Sequence, residues 1–105
     1  MKKFIRFLKN EYPTSEHCEI EILYGYDSLQ APDGSMGFGV YIPDEKKIYV
    51  AGDIPEPETN IPHTIAHEYR HFMQDLINKP FDEDDAEKFA DKVCKDYYTK
   101  DGDTE

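Results

Sequence analysis

The chain has 105 residues and a formal net charge of −11 at pH 7. This length is typical of one domain with one modest core. The negative charge repels phosphate backbones and anionic lipids, which argues against nucleic-acid and membrane binding. The basic start, MKKFIRFLKN, is too short and too charged for a signal peptide or a membrane span. We therefore expect a cytoplasmic protein in which Cys18 and Cys94 remain reduced.

The first half of the chain predicts one helix and three strands. Apolar residues at helical spacing predict a helix over residues 2–11, which Pro13 ends. Alternation of apolar and polar residues predicts strands at residues 19–24, 38–42 and 47–51. A turn-forming loop over residues 27–37 separates the first strand from the other two. The last two strands read as a hairpin, and we expect a small three-stranded antiparallel sheet.

The second half predicts a proline-rich connector and two helices. Residues 52–59 are interpreted as a stiff connector without helix, followed by a helix with Asn60 as its cap and Pro62 in its first turn. Pro80 breaks that helix, and Asp82 is the predicted cap of the last one. The last helix has a predicted buried stripe made of Ala86, Phe89, Ala90, Val93 and Tyr97. We interpret residues 1–99 as a single domain and residues 100–105 as a disordered acidic tail.

The pentapeptide HEYRH at residues 67–71 is the strongest functional signal. On a helix, His67 and His71 project from the same face and can bind one metal ion. Glu68 lies about 100° further round, where its carboxylate can act on a water at the metal without being a ligand. The pattern predicts a hydrolytic zinc site with one ion per chain.

A catalytic zinc needs a third protein ligand, and no histidine follows His71. His63 lies one turn before His67, but three ligands in a row on one straight helix would span about 12 Å. We therefore interpret His63 as a surface histidine that at most lines the cleft. The acidic helix after Pro80 offers Glu83 and Glu87, which share a face, so either can be the third ligand.

The segment EDDAEKFA at residues 83–90, together with HExxH, resembles the gluzincin zinc metallopeptidases, in particular the ImmA/IrrE-like and related phage-associated members. The resemblance covers roughly residues 60–95 and implies a minimal zincin fold. It implies that Glu83 is the metal ligand. It also implies that Glu87 orients a zinc-bound histidine without contacting the ion itself. A register shifted by one turn, with Glu87 as ligand and Asp91 behind it, also fits the spacing. We adopt Glu83.

We therefore expect an α+β protein that acts as a zinc-dependent metallopeptidase on a peptide or protein substrate. The ion activates a water, and Glu68 takes its proton and passes it to the leaving amine. Residues 47–52 are considered as an edge strand that pairs with the substrate backbone. Two other functions remain open, a catalytically silent module that zinc stabilises and an acidic mimic of DNA.

Overall fold

The computed structural model describes residues 1–102 of the chain. The elements in chain order are α1 (Lys2–Glu11), β1 (Glu19–Leu23), β2 (Leu29–Gln30), β3 (Met36–Gly37), β4 (Gly39–Ile42), β5 (Lys47–Ala51), α2 (Pro57–Leu76) and α3 (Glu83–Gly102). Within these residues the architecture is α+β, as predicted, with three helices and a small mixed sheet. The last helix includes the first three residues of the predicted tail, and residues 103–105 lie outside the described part.

The prediction of an antiparallel sheet is wrong for one of its two strand pairs. The order is β1-β5-β4, and β5 is antiparallel to β4 but parallel to β1. The β4–β5 hairpin forms as predicted because residues 43–46 make a tight turn. The connection over residues 24–38 contains the small β2–β3 ribbon and carries the chain past β5 before β4 begins. The free side of β5 is thus left for β1, which pairs with it in parallel.

The α2 helix, which contains HEYRH, begins earlier than predicted, at Pro57 instead of after Asn60. Pro57 suits a helix start because its fixed φ is helical and its missing N–H would have no partner there. Pro62 then lies in the second turn and cannot donate to the carbonyl of Glu58. The hydroxyl of Tyr98, on α3, donates to that carbonyl at 2.8 Å, which compensates for the bond that Pro62 cannot make.

The core lies between the sheet and the helices. The α2 helix packs on β4 and β5, α3 packs on α2, and α1 contacts both long helices. The largest fully buried side chains are Tyr69, Phe4, Phe72, Leu8, Ile48, Ile65, Val50, Val93 and Cys18. The polar side of α2 is consequently free to face α3 and a cleft. Within residues 1–102, no helix combines the length and the apolar character needed to cross a bilayer.

Both cysteines are free thiols, in agreement with the expectation that they are reduced. Burial raises the pKa of Cys18 to about 12 and that of Cys94 to about 11. Since the thiolate is the nucleophilic form, neither side chain is suited to nucleophilic catalysis near neutral pH.

The carboxylate of Asp75 connects the hairpin to the end of α2. Its Oδ2 atom accepts hydrogen bonds from the Tyr41 hydroxyl at 2.7 Å and from Lys46 Nζ at 2.9 Å. These two hydrogen bonds, Tyr41 first, hold the pKa of Asp75 below its usual value. A carboxyl with a lowered folded-state pKa stabilises the fold above its unfolded pKa, and this stability is lost as the pH falls through the folded value.

We predict that Asp75→Asn lowers the free energy of unfolding by about 1 to 2 kcal/mol at pH 7. The loss should shrink as the pH falls below about 4 and towards the lowered folded-state pKa, because the wild-type side chain then becomes protonated and resembles the amide. Urea unfolding at pH 7 and at about pH 3 measures both values. Asp44→Asn, at an exposed position in the same hairpin turn, is the matched control. A loss that is equal at both pH values would contradict the charged role of Asp75.

Candidate metal centre

The polar face of α2 meets α3 in an antiparallel arrangement with a four-residue repeat on both helices. Going towards the start of α2, the histidines are His71, His67 and His63. Going along α3, the facing acids are Glu83, Glu87 and Asp91. Side chains four residues apart lie one above the other on a helix, so the two rows face each other turn by turn. We call this arrangement the His–carboxylate ladder.

Glu83, at the start of α3, contacts both histidines of the HExxH motif. We call this end of the His–carboxylate ladder the inner end. Its Oε1 atom lies 2.9 Å from His67 Nε2, and its Oε2 atom lies 3.0 Å from His71 Nε2. One donor atom from each of the three residues lies within 4.8 Å of the other two. Donors around a tetrahedral zinc, at bonds of about 2.0–2.1 Å, are separated by about 3.3 Å. The inner set therefore fits zinc in both donor type and spacing.

Gln74 determines which nitrogen of His71 carries a proton. Its Nε2 atom donates to the Asp85 carboxylate at 2.9 Å and to the Asp82 carbonyl at 3.3 Å, and its Oε1 accepts the Asp82 N–H at 3.2 Å. These bonds set the amide orientation, so His71 Nδ1, at 2.9 Å from Oε1, must be the donor. In neutral His71 the lone pair is then on Nε2, only 3.0 Å from Glu83 Oε2. A cation or a second ring proton is needed to offset the repulsion between these atoms.

His67 has a carboxylate on each side of its ring. Besides the Glu83 contact at Nε2, Glu87 Oε1 lies 2.7 Å from Nδ1. The oxygen is outside the direction in which Nδ1–H can donate, so among the described residues this buried nitrogen has no hydrogen-bond partner. When a metal binds Nε2, the ring proton is on Nδ1 and needs an acceptor. Glu87 is close enough to become that acceptor after a small rotation of its side chain.

Gly39 allows β4 to approach α2 beside the motif. A Cβ atom added to Gly39 would lie 2.5 Å from Thr64 Cγ2 and 3.3 Å from Glu68 Cγ. Real side chains do not approach so closely, so only glycine permits this packing. The Glu68 side chain is consequently held between the strand and the two histidines.

The carboxyl of Glu68 is suited to proton transfer. Burial raises its pKa, the charges of His67 and His71 oppose the rise, Glu83 adds to it, and the Tyr41 backbone amide has a smaller lowering effect. A base with a pKa raised towards the working pH transfers protons more effectively than an ordinary surface carboxylate.

A cleft of about 860 Å³ lies between β4 and the α2–α3 pair. Residues 38–41 line one wall, and His67, Glu68 and Glu83 line the other. Within the described residues β4 is bonded to one strand only, whereas β5 is bonded on both sides. The interpretation of residues 47–52 as the edge strand is therefore wrong, because β1 occupies the second side of β5. Among the described strands, the unpaired edge beside the motif belongs to β4.

Glu83 and Glu87, the two acids that the sequence offers as third ligand, contact different atoms. Glu83 contacts both motif histidines, whereas Glu87 contacts His67 from the other side of its ring and lies 3.8 Å from His63. Asp91 lies 2.9 Å from His63 Nε2, at the outer end of the ladder. His63 lines the cleft, as expected, but it also belongs to a second group of possible metal ligands.

Two residues that orient His71, Gln74 and Asp85, were not predicted from the sequence. Gln74 lies three residues after His71, which places it on the same helix face, and this spacing was the available signal. Asp85, in the first turn of α3, accepts hydrogen bonds from Arg70 and Gln74. These bonds, that of Arg70 first, hold the pKa of Asp85 below its usual value. The cap assigned to Asp82 is confirmed, because its Oδ1 accepts the Asp85 N–H at 3.0 Å.

Comparison of the chain with protein-family models, with curated proteins and with solved structures finds no match.

We predict that Gly39→Ala lowers the free energy of unfolding by about 1 to 3 kcal/mol, because the new methyl group forces β4 away from α2. Gly37→Ala is the matched control, since a Cβ at that position would meet its nearest neighbour at 3.8 Å. Chemical denaturation of both variants measures the difference. Equal stabilities for the two variants would show that the close approach at Gly39 is not required.

Proposed function

We propose that this protein is a small zinc-dependent peptidase of the gluzincin type, with His67, His71 and Glu83 as the zinc ligands. The observation that carries the proposal is the His71–Glu83 contact. Gln74 requires a proton on Nδ1 of His71, which leaves Nε2 and a carboxylate oxygen only 3.0 Å apart. A divalent cation shared by these atoms and by His67 Nε2 turns that repulsion into attraction without a second proton on the His71 ring.

The surroundings of the three ligands resemble those that metal sites require. The side-chain Oε1 of Gln74 accepts a hydrogen bond from Nδ1–H of His71, and Glu87 is beside Nδ1 of His67. Such partners orient the imidazoles and raise their basicity. Neighbouring acids and amides therefore support both histidine ligands, which favours a metal site over a pair of solvated histidines.

The hydrolytic part of the proposal depends on Glu68 and the cleft. When bound, zinc acts as a Lewis acid that polarises a carbonyl and makes water a stronger nucleophile near neutral pH. Glu68 takes the proton of the attacking water on its carboxylate and delivers it to the nitrogen of the leaving amine. A metal site that only stabilised the fold would have no use for this half-buried base.

The edge of β4 can hold an extended peptide beside Glu68. Ala51 N–H donates to the carbonyl of Phe38 at 2.8 Å. Because backbone groups alternate in an antiparallel ladder, those of Gly39 and Tyr41 point away from β5. The Tyr41 amide interacts with the Glu68 carboxylate, which leaves the backbone groups of Gly39 and the carbonyl of Tyr41 for a substrate. A substrate strand that pairs with this edge would run along the cleft, which is the β-addition mode of peptide recognition.

We predict that the purified protein retains one tightly bound zinc ion per chain, which is lost in His67→Ala and in His71→Ala. Among changes on α3, Glu83→Ala should weaken zinc binding most, and Glu87→Gln should cost about 10- to 100-fold because it supports a ligand without being one. Elemental analysis and competitive titration with a chelating dye measure these effects. If Glu87→Gln weakened binding more than Glu83→Ala, the third ligand would be Glu87.

We predict that Glu68→Gln keeps the zinc ion and the fold but lowers peptide hydrolysis at least about 100-fold, because an amide cannot accept the proton. The assay uses a fluorophore-labelled unfolded protein as substrate, together with metal analysis of each variant. Glu58→Gln, at an exposed position near the start of the same helix, is the control and should retain full activity. Loss of zinc in Glu68→Gln would make Glu68 a ligand. A zinc-loaded wild-type protein without hydrolytic activity would favour the silent, zinc-stabilised module.

A further inference from the structure

The outer end of the His–carboxylate ladder is a second group of metal-ligating side chains. His63 Nε2 lies 2.9 Å from Asp91 Oδ1 and 3.8 Å from Glu87 Oε2. One donor atom from each of these three residues lies within 4.8 Å of the other two. The donors come from two helices that pack on each other, so the fold and not a single flexible segment brings them together.

The charge of this group favours a cation. Two carboxylates face a single imidazole, so the group carries a net charge of −2 with neutral His63 and −1 with the protonated ring. None of the described residues that line the adjoining cleft is a lysine or an arginine. One imidazole nitrogen with two carboxylate oxygens is a donor set that first-row divalent ions accept.

We propose that His63, Glu87 and Asp91 form a second, weaker site for a divalent cation of the zinc class. The existence of this site does not depend on peptidase activity, whereas its coupling to the first site rests on the zinc ligands proposed above. The histidine of the outer site, His63, is 30% exposed, against 14% for His67 and 5% for His71, whereas the acids of the two sites are similarly exposed. Since water competes for exposed ligands, and buried partners do not hold them, the outer site binds more weakly.

Glu87 couples the two sites because it contacts both. Its Oε1 atom is 2.7 Å from His67 Nδ1, and its Oε2 atom is on the side of His63. An ion at the outer site neutralises part of the negative charge that Glu87 presents to His67. The two ions also repel each other. Occupation of the outer site therefore weakens the binding of the inner ion, which makes the outer site a sensor of excess metal.

The test is a calorimetric titration of the metal-free, full-length protein with Zn²⁺, with a chelating competitor to resolve the tight event. The wild-type protein should bind two ions, the second at least about tenfold more weakly than the first. His63→Ala and Asp91→Asn should each remove the weak event and leave the tight one unchanged. Glu87→Gln should remove the weak event and also weaken the tight one by about tenfold or more, because it alone serves both sites.

Asp84→Asn is the matched control, since it removes an exposed acid from the same helix outside the ladder. Both binding events should survive in this variant. A single binding event in the wild type that is unaffected by His63→Ala would overturn the proposal. A weak event that survives in both His63→Ala and Asp91→Asn would also overturn it, and so would a weak event that is lost equally in Asp84→Asn. A single event that is lost in His63→Ala but kept in His67→Ala would support the outer site and overturn the proposed zinc peptidase instead.

Discussion

The antiparallel register between α2 and α3 is the constraint on which the rest of this structure depends. It aligns histidines every four residues on one helix with acids every four residues on the other. The turn over residues 77–82 sets the register, and the bonds of Gln74 to Asp82 and Asp85 hold the start of α3 against the end of α2. A displacement of α3 by one turn would pair every histidine with a different acid and would remove the Glu83 contact to His71.

The sheet supports this arrangement from the opposite side of α2. Its central strand, β5, is buried between β1 and β4 and forms a surface against which the apolar side of α2 packs. At Gly39 the approach of β4 to α2 is close enough that a methyl group cannot be accommodated. The α2 helix therefore packs its apolar side on the sheet and its polar side on α3. Glu68 lies where β4 and this polar side meet.

The extent to which the sequence predicted this structure depends on the range of each interaction. The strand over residues 47–51 and the helix over residues 2–11 were predicted with their correct bounds, because apolar periodicity is a local property. The i, i+4 histidine pair is equally local. Pro57 was overlooked as a helix start because Pro62 offered the same signal, and only the distant hydroxyl of Tyr98 makes a proline in the second turn acceptable.

The parts that sequence analysis could not supply are non-local. The parallel pairing of β1 with β5 follows from the path of residues 24–38, which periodicity does not describe. Glu83 and Glu87 share a helix face, so their spacing alone cannot say which one meets both histidines. Gln74 was overlooked because its partners, Asp82 and Asp85, only approach it after the chain has reversed direction.

Anomalous X-ray scattering from crystals of the zinc-loaded protein shows directly whether Glu83 and the two motif histidines bind one zinc ion. Data collected on both sides of the zinc absorption edge locate the ion without reference to activity. We expect the strongest anomalous peak within about 2.0–2.2 Å of His67 Nε2, His71 Nε2 and a Glu83 oxygen. A strongest peak elsewhere, or no peak between these three side chains in protein loaded with excess zinc, would contradict it.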